Sequence, residues 1–206
     1  MYVHTARCAI DNGRPDRSFT DGLELAERIE VSVAIPITLW SAPFASTGTE
    51  LVWSARIQNL VQMDLLQAAL YSDYRENDRF RPAVQFPAPR VEALLEIISG
   101  VPVGPPAPFV TARIAYAAGD DASDAIAWGT NLAEEQRRTL KSPVMFGINV
   151  FGDDGRLAWV VSHPDAHTVE TAGRMLKADP TIKALMDEGR HLLQPRRRQH
   201  YLRRLN

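Results

Sequence analysis

Residues 5–13, Thr5-Ala6-Arg7-Cys8-Ala9-Ile10-Asp11-Asn12-Gly13, return in altered form as residues 111–119, Thr111-Ala112-Arg113-Ile114-Ala115-Tyr116-Ala117-Ala118-Gly119. The two threonines, the Ala-Arg pair, the later alanine and the glycine all keep an offset of 106. The same offset carries Leu51 and Trp53 onto Leu157 and Trp159, Leu70 onto Leu176, and Asp73 onto Asp179. With one residue of slippage, Gly22, Leu25, Ala26 and Glu27 fall on Gly129, Leu132, Ala133 and Glu134. A near-constant offset over such a span marks a duplicated unit.

The chain has 206 residues, enough for one large domain or two small ones, and the repeat favours two. A hydrophobic content of 45% can supply a real core, and a net charge of −2 gives no reason to expect nucleic acid or an anionic membrane as partner. The single cysteine, Cys8, excludes an intramolecular disulfide framework and suits a reducing compartment. No apolar run approaches the roughly 20 residues that span a bilayer, and the first residues do not read as a secretory signal. The expectation is a cytoplasmic protein, with a homo-oligomer possible.

The second copy is the clearer one. Phe109 to Ala117 reads as a strand, followed by a helix from about Ala125 to Leu140, on which Trp128, Leu132, Ala133 and Leu140 recur at helical spacing. Val144 to Phe151 and Leu157 to Ser162 read as strands joined at Gly152-Asp153-Asp154-Gly155, where Asp-Gly supplies a hairpin turn. Pro164 suits a first helical position, with His163 as cap. The helix that follows breaks at Asp179-Pro180, resumes through Ile182, Leu185 and Met186, and ends at Gly189. A fourth strand is expected between His191 and Leu205. The first copy follows the same order: Tyr2–Ile10, a helix around Leu23–Ile29, Ile37–Phe44, Leu51–Ala55, a helix over Leu60–Tyr71, and a strand or helix near Val91–Ile98.

The order is βαββαβ, the ferredoxin-like split motif, so the fold class is α+β with two tandem ferredoxin-like units. Residues 1–100 make the first unit, 101–108 a Pro- and Gly-rich linker, and 109–206 the second. Each unit covers one sheet face with helices and leaves the other apolar. Two such faces in one chain can close on each other as an intramolecular barrel-like core. The stretch Phe146 to Trp159 (FGINVFGDDGRLAW) and Leu176-Lys177-Ala178-Asp179-Pro180 resemble the dimeric α/β-barrel superfamily, in particular its NIPSNAP-like and antibiotic-biosynthesis-monooxygenase-like branches. The resemblance covers most of 109–206 and, faintly, 1–100. It implies a small-molecule enzyme without a tightly bound organic cofactor, acting on an aromatic or polyketide-like substrate by oxygenation or a related cyclisation.

Strand alternation separates Val110, Ala112 and Ile114, which suit a helix-covered face, from Thr111 and Arg113, which then point into the space between the sheets. Thr5 and Arg7 match them. Arg113 and Arg7 could hold an enolate or phenolate through their planar donors; the competing reading is a structural arginine at the barrel mouth. Asn149 could orient a substrate carbonyl, or cap the wet end of its strand. Trp159, Trp53 and Phe146 could wall an aromatic ligand, or simply fill the core, and Trp40 and Phe146 form a matched aromatic pair. With Thr111, these residues make up the expected substrate site.

His163 and His167 have the spacing of one helix face and are the weak candidates for a metal or haem ligand, against a solvated helix start. Some relatives built from two ferredoxin-like units, the chlorite dismutase group, bind haem through a histidine, which keeps haem as the alternative cofactor. His4 and Cys8 share the other face of strand one and read as core residues. Arg196-Arg197-Arg198 with Arg203 and Arg204 reads as a charged edge strand more than a nucleic-acid contact. A third reading is a non-catalytic binding or assembly module.

Overall fold

The computed structural model describes residues 1–10, 15–45, 48–76, 91–119, 122–151, 155–196 and 198–206. Gly13, Asp120-Asp121, residues 152–154 of the expected hairpin turn and Arg197 lie outside the described residues. The elements run β1 (Tyr2–Ala9), α1 (Pro15–Val33), β2 (Ile37–Ala45), β3 (Gly48–Ile57), α2 (Leu60–Glu76) and β4 (Val91–Ser99). They continue as β5 (Phe109–Tyr116), α3 (Ser123–Leu140), β6 (Val144–Asn149), β7 (Arg156–His163), α4 (Ala166–Ala178), α5 (Pro180–Glu188), a 3-10 turn (Gly189–Leu192) and β8 (Arg198–Arg204). This is βαββαβ twice, an α+β fold of tandem ferredoxin-like units. Within the first unit the strands pair as β1-β3-β2, and within the second as β5-β7-β6, all antiparallel.

The chain divides into two compact units, Met1–Leu94 with Arg203–Asn206, and Leu95–Leu202. The division falls inside β4 and β8, not in the linker. In the first unit the end of β8 pairs with β2, Trp40 opposite Arg204 and Ser41 opposite Arg203. The Asn206 amide extends that pairing, accepting from Leu39 N at 2.9 Å and donating to Ile37 O at 2.8 Å. In the second unit Leu95 to Ser99 pair with β6. Of the basic residues, Arg198, Arg203 and Arg204 lie on β8, and Arg196 lies 5.1 Å over the Tyr116 ring.

Each unit builds its core between helices and one sheet face. In the first, Ile29 and Ala26 of α1 and Met63 and Leu66 of α2 meet Cys8, Leu39, Leu51, Trp53 and Ile57. In the second, Trp128, Leu132 and Ala133 of α3 and Ile182 of α5 meet Ala115, Val144, Phe146, Leu157, Trp159 and Val161. One device recurs in both. Trp53 Nε1 donates to Gly22 O at 3.2 Å, and Trp159 Nε1 donates to Gly129 O at 2.9 Å. The buried indole keeps a hydrogen bond while its rings fill the space under the helix. Glycine is needed at 129, where an added Cβ would lie 2.5 Å from Phe146 Cζ.

The register corrects the alignment of the two copies. Ala6 opposes Trp53, whereas Arg113 opposes Trp159. Cys8 opposes Leu51, as Ala115 opposes Leu157. Strand one therefore superposes at an offset of 107, in step with the Gly22/Gly129 helices, and the shared Thr-Ala-Arg is out of register by one residue. A one-residue slip moves every side chain to the other face. Arg7 points away from the helices of its unit, and Arg113 points toward those of its own. The matched aromatic pair dissolves for the same reason. Leu39, opposite Trp53, is the counterpart of Phe146, opposite Trp159. Trp40 is on the other face, its Nε1 donating to Ser54 Oγ at 2.8 Å. The extra residue of the first copy falls between β2 and β3, where the pairing shifts register between Ala42 and Ala45.

Candidate active site

The helix face of β5 and β7 is apolar except at one end. Moving along it, Leu157, Trp159 and Val161 give way to His163 on β7, and Ala115 gives way to Arg113 and Thr111 on β5. Thr111 opposes Val161, and His163 opposes Phe109, so Thr111 and His163 are diagonal neighbours on one face. Their side chains meet, Thr111 Oγ1 lying 3.0 Å from His163 Nε2. Arg113, two residues along the same face, donates from Nη1 to the Met186 sulfur of α5 at 3.6 Å. α4 and α5 cover this end, and α4 rests on β5 and β7.

These placements correct two expectations. Thr111 and Arg113 lie on the helix side, because Trp159 and Val161, their cross-strand partners, are core residues beneath the helices. His163 is the last residue of β7 and not a helix cap. The cap of α4 is Asp165, whose carboxylate accepts from Thr168 N at 2.7 Å and Thr168 Oγ1 at 2.8 Å. Those two bonds hold the Asp165 carboxyl below its usual range. His167 is exposed in the first turn of α4, so the two imidazoles do not share a helix face.

His163 is 1% exposed, and burial lowers the pKa of its ring from the ordinary 6.5, opposed by the nearby Asp165 charge. The imidazole is therefore neutral at pH 7. Its Nδ1 is buried and has no hydrogen-bond partner among the described residues. Thr171 Oγ1 on α4 is likewise buried and unpartnered among them. Buried polar atoms are nearly always paired, so an unpartnered Nδ1 marks this end of the face as unusual. A neutral imidazole whose Nε2–H is held by a hydroxyl offers its other nitrogen as a base.

The remaining expected residues do not join this cluster. Trp159 lies 5.0 Å from Phe146 and 5.6 Å edge-on from Trp128, ring centre to ring centre. Trp53 is equally enclosed, so these aromatics are packing and not ligand walls. Asn149 sits at the end of β6, paired with Leu95, and its amide donates to Phe151 O. Arg7 and Trp53 belong to the first unit. The alignment also hid Met186, since nothing in its spacing distinguishes it from an ordinary helix residue.

Beneath α3 the helix face of the second unit is filled by Phe146, Leu132, Leu157 and Trp159, and an added Cβ at Gly129 or Gly189 would overlap Phe146 or Trp128. His163 Nε2 is engaged by Thr111, and among the described residues no group of three or more His, Cys, Asp or Glu side chains could hold a metal ion. No described helix is long and apolar enough to cross a membrane.

No family model matches the chain, and no curated protein matches it. Solved structures do. A monooxygenase-like protein from Fusobacterium nucleatum superposes with a TM-score of 0.66 at 6% identity, over 100% of this chain and 92% of that one. An anthrone oxidase-like protein gives 0.61 at 11% identity, over 100% and 91%. A chlorite dismutase-like protein gives 0.56 at 9% identity, over 100% and 96%. At such identities the likeness is one of fold, which hosts several chemistries. The chain shares the fold of these structures, with both ferredoxin-like units in one polypeptide.

Proposed function

We propose that this protein is a small-molecule enzyme of the monooxygenase-like kind, acting on an aromatic or polyketide-like substrate at the helix face of its second unit. One observation carries the reading: a buried imidazole, 3.0 Å from the Thr111 hydroxyl, with an arginine two residues along the same strand face; burial favours the neutral form of the imidazole. Thr111 accepts from His163 Nε2 and leaves Nδ1 as the base. Nδ1 removes the proton of an acidic C–H or O–H, and the Arg113 guanidinium stabilises the oxygen on which the negative charge gathers. The resonance-stabilised carbanion reduces dioxygen. The imidazolium returns the proton to the resulting peroxide, and loss of water leaves a carbonyl. In balance, a methylene carbon and one dioxygen become a carbonyl and one water, with the substrate as reductant and dioxygen as oxidant.

The test is oxygen uptake with 1,8-dihydroxyanthrone as probe substrate. His163→Gln is expected to lower kcat by about 10²–10⁴, the usual yield of a positioned base. Arg113→Gln is expected to lower kcat/KM by about 10²–10³, as loss of an oxyanion-stabilising donor does. Wild-type turnover in His163→Gln would refute the reading.

A further inference from the structure

A guanidinium stabilises an oxyanion only as well as it is held, since a donor fixed in advance needs no reorganisation when the charge develops. Arg113 has a hold on α5, where its Nη1 donates to the Met186 sulfur at 3.6 Å. Met186 in turn stands on a fixed support. α5 begins at its cap, Asp179, which accepts from Thr181 N and Ile182 N. Near its end, Trp128 Nε1 of α3 donates to Leu185 O at 2.7 Å, and Gly189 lies so close to that indole that an added Cβ would overlap it. Ile182, one turn before Met186 on the same side of the helix, is buried in the core. Both ends of α5 are thus tied down, and the half-buried Met186 reaches from this rigid turn to the guanidinium.

A thioether is a weak acceptor and carries no charge. It can set the direction of the planar guanidinium without adding negative charge beside the oxygen that the guanidinium serves. A carboxylate reaching the same nitrogen would bond it more strongly and compete with the substrate oxyanion. We infer that Met186 is a positioning residue for Arg113, its uncharged sulfur orienting the guanidinium for the developing oxyanion. This rests on the reading of His163 as the base and Arg113 as the oxyanion donor.

The experiment measures kcat and KM for 1,8-dihydroxyanthrone in Met186→Leu, Met186→Gln and Met186→Glu, with thermal melts of each, and repeats Met186→Leu in the Arg113→Gln background. Leucine keeps the volume and removes the acceptor. Its kcat is expected to fall about threefold to tenfold, the value of one modest hydrogen bond, with KM within about twofold, because the orientation counts in the transition state alone. Glutamine, with an uncharged oxygen at similar reach, brings kcat back to within about twofold of wild type. The isosteric glutamate leaves it at or below the leucine level. In the Arg113→Gln background, Met186→Leu changes kcat by less than about twofold, since the group it orients is gone. A wild-type kcat in Met186→Leu, with His163→Gln still inactive, overturns this inference and leaves the base standing. An equal loss in both backgrounds overturns it too, as does a kcat that follows the melting temperature with no difference between glutamine and glutamate. Met186 would then act on the fold and not through Arg113. Wild-type turnover in His163→Gln removes both readings.

Discussion

Burial weighs differently on the two protonation states of an imidazole, and at His163 it weighs against the charged one. The folded ring therefore binds its proton less readily than the unfolded ring, whose pKa is near 6.5. Stability associated with this residue is complete above pH 6.5 and declines as pH falls below it, because the unfolded chain then takes up a proton that the folded chain resists. Chemical denaturation between pH 7.5 and 5 should show this loss, and His163→Gln should flatten it. The sequence offered little help here. It placed His163 beside His167 in a presumed helix start, because Pro164 reads as a first helical residue. The strand runs one step further than the proline suggested, and Asp165 takes the cap. The pairing of His163 with Thr111 lies across strands, 52 residues apart, where local spacing carries no information.

Among the elements, the contact of Trp with Gly under α1 and α3 decides how closely helix and sheet approach. The two copies differ in what they tolerate. A Cβ at Gly22 would meet the flexible Leu51 Cδ1 at 3.0 Å, while one at Gly129 would meet the rigid Phe146 ring at 2.5 Å and Trp159 at 3.0 Å. Gly129→Ala should cost about 1–3 kcal/mol, in the range of overpacking, and Gly22→Ala clearly less, both read from urea denaturation. The junction of α4 and α5 gives a further test. Asp179 accepts from Thr139 Oγ1 at 2.7 Å, Thr181 N at 2.9 Å and Ile182 N at 3.1 Å, and the Thr139 bond leads in holding its carboxyl below the ordinary 3.8. Asp179→Ala removes a cap and a tie to α3, and should lower the melting temperature at pH 7. That contribution is present above pH 4 and is lost as the carboxylate protonates below 3.8, so wild type and variant should converge in acid. Helix and strand order was legible because hydrophobic period and turn residues are local signals. Faces were not, because a repeat offset that changes by one residue between β2 and β3 leaves composition intact and inverts side-chain direction.

At the scale of the whole molecule, duplication of the fold has not meant duplication of the site. Where the second unit has Thr111, Arg113 and His163, the first has His4, Ala6 and Ile57 at the same register positions. His4 is instead 3.4 Å from Glu92 on β4. The arginine that the repeat seemed to conserve, Arg7, is on the opposite face of its sheet. Arg7→Gln should therefore leave turnover within about twofold of wild type, whereas Arg113→Gln should not, since only the latter removes an oxyanion donor. The central claim is that His163 is a neutral base with Nδ1 unprotonated and Nε2–H held by Thr111. The most direct measurement is the ¹⁵N spectrum of the imidazoles at pH 7, with His163 assigned through His163→Gln, recorded with and without 1,8-dihydroxyanthrone in the absence of oxygen. The account predicts a neutral ring protonated at Nε2, an Nδ1 signal that moves toward the protonated position when the probe binds, and a mixture of tautomers in Thr111→Val. A charged ring, or a ring protonated at Nδ1 and indifferent to the probe, would contradict it.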